Sequence, residues 1–397
     1  MINQDQIEEW IREVEERPSS GTLIVRFVAN RLRDLTQRNE ELLAENIALR
    51  TNKRVEEYES RVANLEYQLD MLKRQVGGNL SGLANALITP AAEERLSVLA
   101  YLPMGRVLRV ELGVNSLAGG QRVAQLISPV AAGERPPRLL VTNSQEELVF
   151  LFDSGRTVTM PVSAIPVGME ENLVWKNAYW VEPRAGEELA TVAPMGRLAL
   201  ADAIVQASRR GCLKRMLKSS FENHLAKSYI GAGILQKPDL NCALVLTNKE
   251  DVMVMASREG FVLSMAVSRL PFTTEEALRL SVTDYIASAF GVGRKPGLLF
   301  VTNNGKAVVR ESSWLEQPAS SKSRGQALFS PARREAGTRL AGATAVDEQD
   351  WSMALLSSGA ICCYRVADLT AAGALPDLSA QDEVIDFCAF SLKKEAA

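Results

Sequence analysis

One stretch of this chain recurs without a gap. Arg138 to Pro166 reads RLLVTNSQEELVFLFDSGRTVTMPVSAIP, and Ala243 to Pro271 reads ALVLTNKEDVMVMASREGFVLSMAVSRLP, at an offset of 105 residues. Leu139 matches Leu244, Thr142 matches Thr247, Asn143 matches Asn248, Gly155 matches Gly260, Met160 matches Met265 and Pro166 matches Pro271. Weaker copies surround Gly105, Gly211, Gly305 and Gly359, so the six glycines are spaced by 50, 56, 49, 45 and 54 residues. Each copy is an apolar strand, a small or polar turn ending in Gly, and a second strand. That is a β-hairpin, with Gly where a tight turn needs positive φ. Further strand-like runs lie between the hairpins, at 187–195, 281–290 and 338–346. Roughly four strands per 50 residues is the size of a propeller blade. Six such units close into a ring without long exposed edges. A jelly roll or an open solenoid is the competing architecture, and the repeat count and length favour the ring.

The repeats account for most of the 397 residues, and an arm precedes them. Ile7, Trp10, Ile11 and Val14 give residues 4–17 a helical apolar face, which Pro18 to Gly21 interrupts. From Thr22 to Gln75 there is neither proline nor glycine. Val25, Val28, Leu32, Leu35, Asn39, Leu42, Asn46, Leu49 and Lys53 follow one another at spacings of four and three. With Val25 at position a, Asn39 and Asn46 also fall at a. A buried asparagine there pairs best with its twin in a parallel two-stranded coil, so the pattern predicts a homodimer. After a phase break at 51–54, a second run has Val55, Tyr58, Val62, Leu65, Leu69, Leu72 and Val76, a local change of supercoil or a fold back. A basic zipper is rejected, because Glu13, Glu15 and Glu16 stand where its basic run belongs. The expected organisation is a short helix and turn at 1–21, a coiled coil at 22–78, a linker at 79–94, six repeats at 95–375, and a tail at 376–397 that closes or flanks the ring.

Composition removes whole classes of function. No apolar run spans a bilayer, and the acidic amphipathic N-terminus is no signal peptide, so no membrane partner is expected. Cys212, Cys242, Cys362, Cys363 and Cys388 form no CxxC, which argues against zinc and a disulfide framework and for a reducing cytoplasm. The one histidine, His224, reads as a surface or satisfied residue. No nucleophile, base or metal cluster converges, so neither an enzyme nor a cofactor is expected.

The repeat unit, as in LLFVTNNGKAVVRESSWL (298–315) and GEELATVAPMGRLALADAIVQASRRGCLKRMLKSSFEN (186–223), resembles the blade of the C-terminal domain of the DNA gyrase A subunit and its topoisomerase IV relative. The resemblance covers about residues 95–375. It implies an all-β six-bladed β-pinwheel, a propeller relative whose neighbouring blades exchange strands, with a rim that binds and bends duplex DNA. Two departures stand out. The catalytic module of gyrase has no counterpart, and a coiled coil takes its place. The family's Gln-Arg-Arg-Gly-Gly-Lys-Gly box has no intact copy. The nearest is Ser321-Lys322-Ser323-Arg324-Gly325-Gln326-Ala327, and Tyr229-Ile230-Gly231-Ala232-Gly233 marks a similar loop position without the charges.

The overall charge is −3. It divides into an acidic arm and a repeat domain with a small positive surplus. One basic stretch holds Arg209, Arg210, Lys214, Arg215, Lys218 and Lys227 against Glu222. A second holds Arg294, Lys295, Lys306, Arg310, Lys322, Arg324, Arg333, Arg334 and Arg339 against Glu311, Glu316 and Glu335. These residues are the candidate phosphate contacts. Nothing suggests direct base reading, so shape and bendability would select the DNA. Trp175, Trp180, Trp314 and Trp351 read as core or blade-packing residues. The expectation is a non-catalytic DNA-binding or DNA-bending protein, cytoplasmic and nucleoid-associated, dimerised by its coil, with a topoisomerase or other protein as possible partner. The alternative is a protein-interaction scaffold with the propeller as its platform.

Overall fold

The computed structural model describes residues 95–127, 135–316 and 322–392, with Arg12, Glu15, Arg17, Gly21, Thr22, Val25, Arg26, Val28, Ala29, Asn30 and Leu32 of the arm. The chain divides into two compact units, Met1–Ala91 and Ala92–Ala397. In the first, Arg12 and Glu15 are helical, Arg17 is not, and the helix has resumed by Gly21. The expected turn therefore ends before Gly21. Val25 and Leu32 are helical with side chains 67% and 59% exposed. The rest of both heptad runs, from Leu35 through Asn39, Leu42, Asn46, Leu49, Val62, Leu65 and Leu69 to Leu72, and the linker at 79–94 lie outside the described residues.

The second unit is a ring of six blades. Each is a hairpin with an inner strand from its own repeat. In the first, β1 (Arg95–Tyr101) pairs with β2 (Arg106–Gly113) and with the inner β4 (Arg138–Asn143). The hairpins that follow are β5–β6 (Glu147–Phe152, Thr157–Pro161), β10–β11 (Ala203–Ser208, Cys212–Leu217), β13–β14 (Val252–Ser257, Phe261–Ala266), β17–β18 (Gly297–Thr302, Ala307–Glu311) and β21–β22 (Trp351–Leu356, Ala360–Arg365). Their inner strands are β9 (Leu189–Pro194), β12 (Asn241–Thr247), β16 (Ile286–Val292), β20 (Leu340–Val346) and β23 (Val384–Phe390). The stretch expected as a tail thus supplies the inner strand of the sixth blade.

The outer edge of each blade comes from the next repeat. β8 (Tyr179–Trp180) pairs with β2, β15 (Glu275–Glu276) with β11, and β19 (Gln326–Ala327) with β14. Single bridges do the same in the second and fifth blades, between Arg156 and Tyr229 and between Lys306 and Ala374. The first repeat returns the exchange to the last, because β3 (Gln121–Ile127) pairs with β22, and β7 (Leu173–Val174) runs parallel to β3. The ring is therefore closed by strand pairing. At the same junction, the Leu139 N–H donates to Asp386 Oδ2 at 2.6 Å, and Arg138 Nε lies 3.4 Å from Asp386 Oδ1. Burial pushes the Asp386 carboxyl above its ordinary range, and Arg138 opposes that shift.

Packing explains the near-continuous apolar strands. Leu148, Phe150 and Phe152 face the first blade, while Val149 and Leu151 face the third. A strand buried on both faces has no need to alternate. Six hydrophobic clusters fill the six interfaces between neighbouring blades. Each fully buried Leu, Ile or Phe stabilises by roughly 1.5–3 kcal/mol, so the blades hold one another rather than stand alone.

The hairpin glycines serve two ends at once. Gly211 has φ +86°, a left-handed conformation that a Cβ disfavours. A Cβ there would also stand 2.2 Å from the Leu278 carbonyl oxygen of the exchanged segment. That segment is tied to the turn, since the Ala277 and Leu278 N–H groups donate to the Gly211 carbonyl. The other five turn glycines also have positive φ and accept an N–H from the incoming segment.

Candidate nucleic-acid interface

Strand exchange decides which basic residues reach the outer edge. Ser321 itself lies outside the described residues, but Lys322 to Ala327 run directly into β19, the outer strand of the fourth blade. Ser323 bridges Leu278, which continues from the outer strand of the third blade. The Arg279 N–H donates to the Ser323 carbonyl at 2.8 Å. Arg279, Lys322 and Arg324 are all exposed, so three cations gather where two outer segments meet. Lys322 has φ +65° and Gly325 φ +76°, which turns the backbone sharply before β19. Arg324 also lies over the Phe261 ring, 5.3 Å from its centroid. The other loop singled out in the sequence occupies the equivalent place, since Tyr229 bridges the outer side of the second blade.

On the fifth blade, Lys306 and Arg310 lie at the hairpin turn and on its outer strand, both exposed. Arg294 and Lys227 are exposed as well, the latter just after a helix we label α1 (Lys218–Ala226). Arg333 is exposed on a short helix, α2 (Pro331–Glu335). Lys214 is half-buried on β11.

Other basic residues in the two stretches spend their donors inside the protein. Arg210 donates to the carbonyls of Val282, Ser281 and Asp284, which fastens the 281–284 loop. Arg215 donates to the Val267 carbonyl at 3.1 Å and stacks over Phe272 at 4.3 Å. Lys218 donates to the Ala199 carbonyl at 3.0 Å. Lys295 pairs with the buried Asp350 at 2.6 Å. Arg334 donates to the Phe329 carbonyl, and Arg339 to the Arg334 and Thr338 carbonyls. Arg209 lies over the Tyr285 ring at 4.4 Å and lines a pocket on the ring axis, away from the outer strands. A charge run in sequence thus contains both solvent-facing cations and structural staples.

Arg279 follows Glu275 and Glu276 and sits in neither basic run, so composition does not mark it. Only the pairing of Leu278 with Ser323 brings it beside Lys322 and Arg324. Trp180 also departs from expectation. Trp351 is buried, and Trp314 packs edge-on to Phe300 at 5.9 Å. Trp180 instead stands 49% exposed on an outer strand, with Arg106 over its ring at 5.4 Å.

His224 sits in the last turn of α1, with Nδ1 3.4 Å from Ser220 Oγ. Burial raises the thiols of Cys212, Cys242, Cys362, Cys363 and Cys388 above their ordinary values, that of Cys242 to about 12. Such thiols are poor nucleophiles. Among the described residues no group of His, Cys, Asp and Glu could hold a metal, and no helix is long and apolar enough to cross a membrane.

No family model and no curated protein sequence matches the chain. Among solved structures it is similar to the DNA gyrase A C-terminal domain, with a TM-score of 0.57 at 16% identity, over 75% of this chain and 100% of that one. A second similar structure is the C-terminal domain of DNA topoisomerase IV, with a TM-score of 0.47 at 18% identity, over 75% of this chain and 94% of that one. The ring of exchanged blades is thus the six-bladed β-pinwheel fold of the gyrase A C-terminal domain.

Proposed function

We propose that the ring binds duplex DNA non-catalytically along its outer edge, on the side of the third to fifth blades. The observation that carries this reading is the junction of Arg279, Lys322 and Arg324, followed around the edge by Lys306 and Arg310. Cations on outer strands meet phosphates without reading bases, and each neutralised phosphate releases counterions. DNA curved along the edge would meet more of these cations than straight DNA, which favours bendable sequences.

The heptad segment pairs two copies of the chain in this reading. Two rings on one duplex raise avidity without any new contact. The protein would then act in the cytoplasm, on the nucleoid, alongside whatever topoisomerase works on the same DNA.

The test is a gel-shift series with full-length protein and a bendable duplex in rising salt. Binding at low salt that K322E/R324E/R310E weakens at least tenfold supports the reading. No binding at any salt contradicts it. One observation favours a second reading as a protein-interaction scaffold. Met104 and Trp180, 50% and 49% exposed, are joined at the outer edge of the first blade, where Trp180 Nε1 donates to the Met104 carbonyl at 3.2 Å. An exposed aromatic beside an exposed methionine suits a protein surface better than a phosphate backbone.

A further inference from the structure

The geometry points to a second site, for a compact oxyanion of the phosphate type, at one mouth of the ring axis. Inner strands from all six blades begin at this mouth and line a cavity of about 70 Å³. Four arginines reach it: Arg135, Arg138, Arg209 and Arg258. Two of them are neutralised, Arg135 by Glu188 and Arg138 by Asp386. Arg209 and Arg258 have no carboxylate at ion-pairing distance among the described residues.

These two arginines are placed by the fold. Each stands two residues before a turn glycine, Gly211 and Gly260, in neighbouring blades. The corresponding residues in the other blades are Pro103, Asp153, Asn303 and Ser357, so the doubled charge belongs to this side of the mouth. The main chain is fixed at both, because the Arg209 N–H donates to the Leu240 carbonyl at 2.7 Å and the Arg258 N–H to the Tyr285 carbonyl at 2.8 Å. Both guanidinium groups then lie over one ring, Tyr285, at 4.4 and 5.6 Å from its centroid. A π face holds cations in place but neutralises neither of them. Burial, and after it the nearby Arg209, hold the Arg135 guanidinium below its ordinary value. Arg209 and Arg258 therefore stand over one ring without a carboxylate partner among the described residues, beside the Arg135–Glu188 pair, and a bound anion offsets their charge.

Size and shape select the anion. The cavity has room for several waters, which is enough for a compact tetrahedral anion. Planar guanidinium forks match the paired oxygens of a phosphate. The site faces the axis and is independent of the outer edge proposed for DNA.

The test is calorimetric titration of the full-length protein with inorganic phosphate in a chloride buffer. The wild type is expected to bind one phosphate per chain. R209Q/R258Q is expected to bind at least tenfold more weakly, with thermal unfolding checked alongside. The outer-edge variant K322E/R324E/R310E is expected to bind phosphate like the wild type. Phosphate binding unchanged in R209Q/R258Q would overturn the proposal, as would its absence from the wild type. Should the double variant not fold, R258Q alone, with a loss of threefold or more expected, carries the same test. Duplex binding retained in R209Q/R258Q separates this site from the DNA reading, and its loss there would overturn the assignment of a separate site.

Discussion

Arg215 Nη1 donates to the carbonyl oxygen of Val267 at 3.1 Å, tying the third blade to the short 3₁₀ turn that follows the fourth hairpin. Arg109 does the same two blades earlier, with Nη1 3.1 Å from the Val162 carbonyl and 2.9 Å from that of Ile165. Arg109 is 4% exposed, and it also donates from Nε to Ser97 Oγ at 2.9 Å and from Nη2 to the Glu111 carboxylate. Hydrogen bonds from a charged donor contribute about 1.5–3 kcal/mol where burial is deep. R109A is therefore expected to destabilise the ring by at least about 2 kcal/mol, and R215A by about 1 kcal/mol. Denaturant unfolding checks both. R215Q is expected to leave duplex affinity within twofold of the wild type, and a larger loss would return Arg215 to the DNA contacts.

Turn glycines should differ according to what crosses them. Gly337 has φ +85° with nothing within 4 Å of an added Cβ, so G337A meets only the left-handed penalty, roughly 1–2 kcal/mol. G211A adds a collision with the Leu278 carbonyl, main-chain atoms that cannot swing away. It is expected to cost at least twice as much as G337A or to prevent folding. Equal losses in the two variants would mean that the exchanged segment does not cross the turn closely.

Acid should unlock the second blade. Burial alone would raise the Glu187 carboxyl, but hydrogen bonds from Arg156, Ser154 and the Arg184 N–H bring it down to about 2. The folded pKa is depressed, so the stabilisation is fully present above the unfolded value near 4.5. It disappears as pH falls from there through about 2. E187Q is expected to cost roughly 2 kcal/mol at pH 7, taking 1.36 kcal/mol per unit and discounting for solvent at the site. The gap to wild type should narrow from about pH 4.5 and close as pH falls through about 2. A gap that stays constant down to that pH would remove the ion pair from the account.

Dimerisation rests on the heptads. Sedimentation equilibrium of the full chain is expected to give twice the chain mass, and L42E the mass of one chain. A monomeric wild type would reduce the account to a single ring.

The sequence was most legible where local chemistry repeats. Gly105, Gly155, Gly211, Gly260, Gly305 and Gly359 mark the hairpins because each turn needs positive φ and admits no Cβ. Thr142 and Thr247 match because each caps the loop into the next hairpin, donating to Glu146 and Asp251. Strand exchange was much harder to read. Its outer strands are as short as Tyr179–Trp180, and their pairing depends on the ring rather than on neighbouring residues. That is why Trp180, which reads as a core or blade-packing residue, stands half exposed on an outer strand, and why Val384–Phe390, which reads as part of a tail closing or flanking the ring, is an inner strand. The basic runs were visible, but not the direction of their side chains. Arg210 and Arg324 look alike in composition, yet one fastens a loop and the other faces solvent on an outer segment.

Neutralisation of DNA phosphates by cations on the outer edge has a direct signature in salt dependence. The most direct measurement is the slope of log affinity against log salt for a fluorescent duplex, compared between the full-length wild type and K322E/R324E/R310E. A slope near −0.9 per phosphate contact is expected. The variant should therefore lose about three contacts, so that its slope is shallower by roughly 2.5 and its affinity at low salt much weaker. Equal slopes and equal affinities in the two proteins would contradict the account.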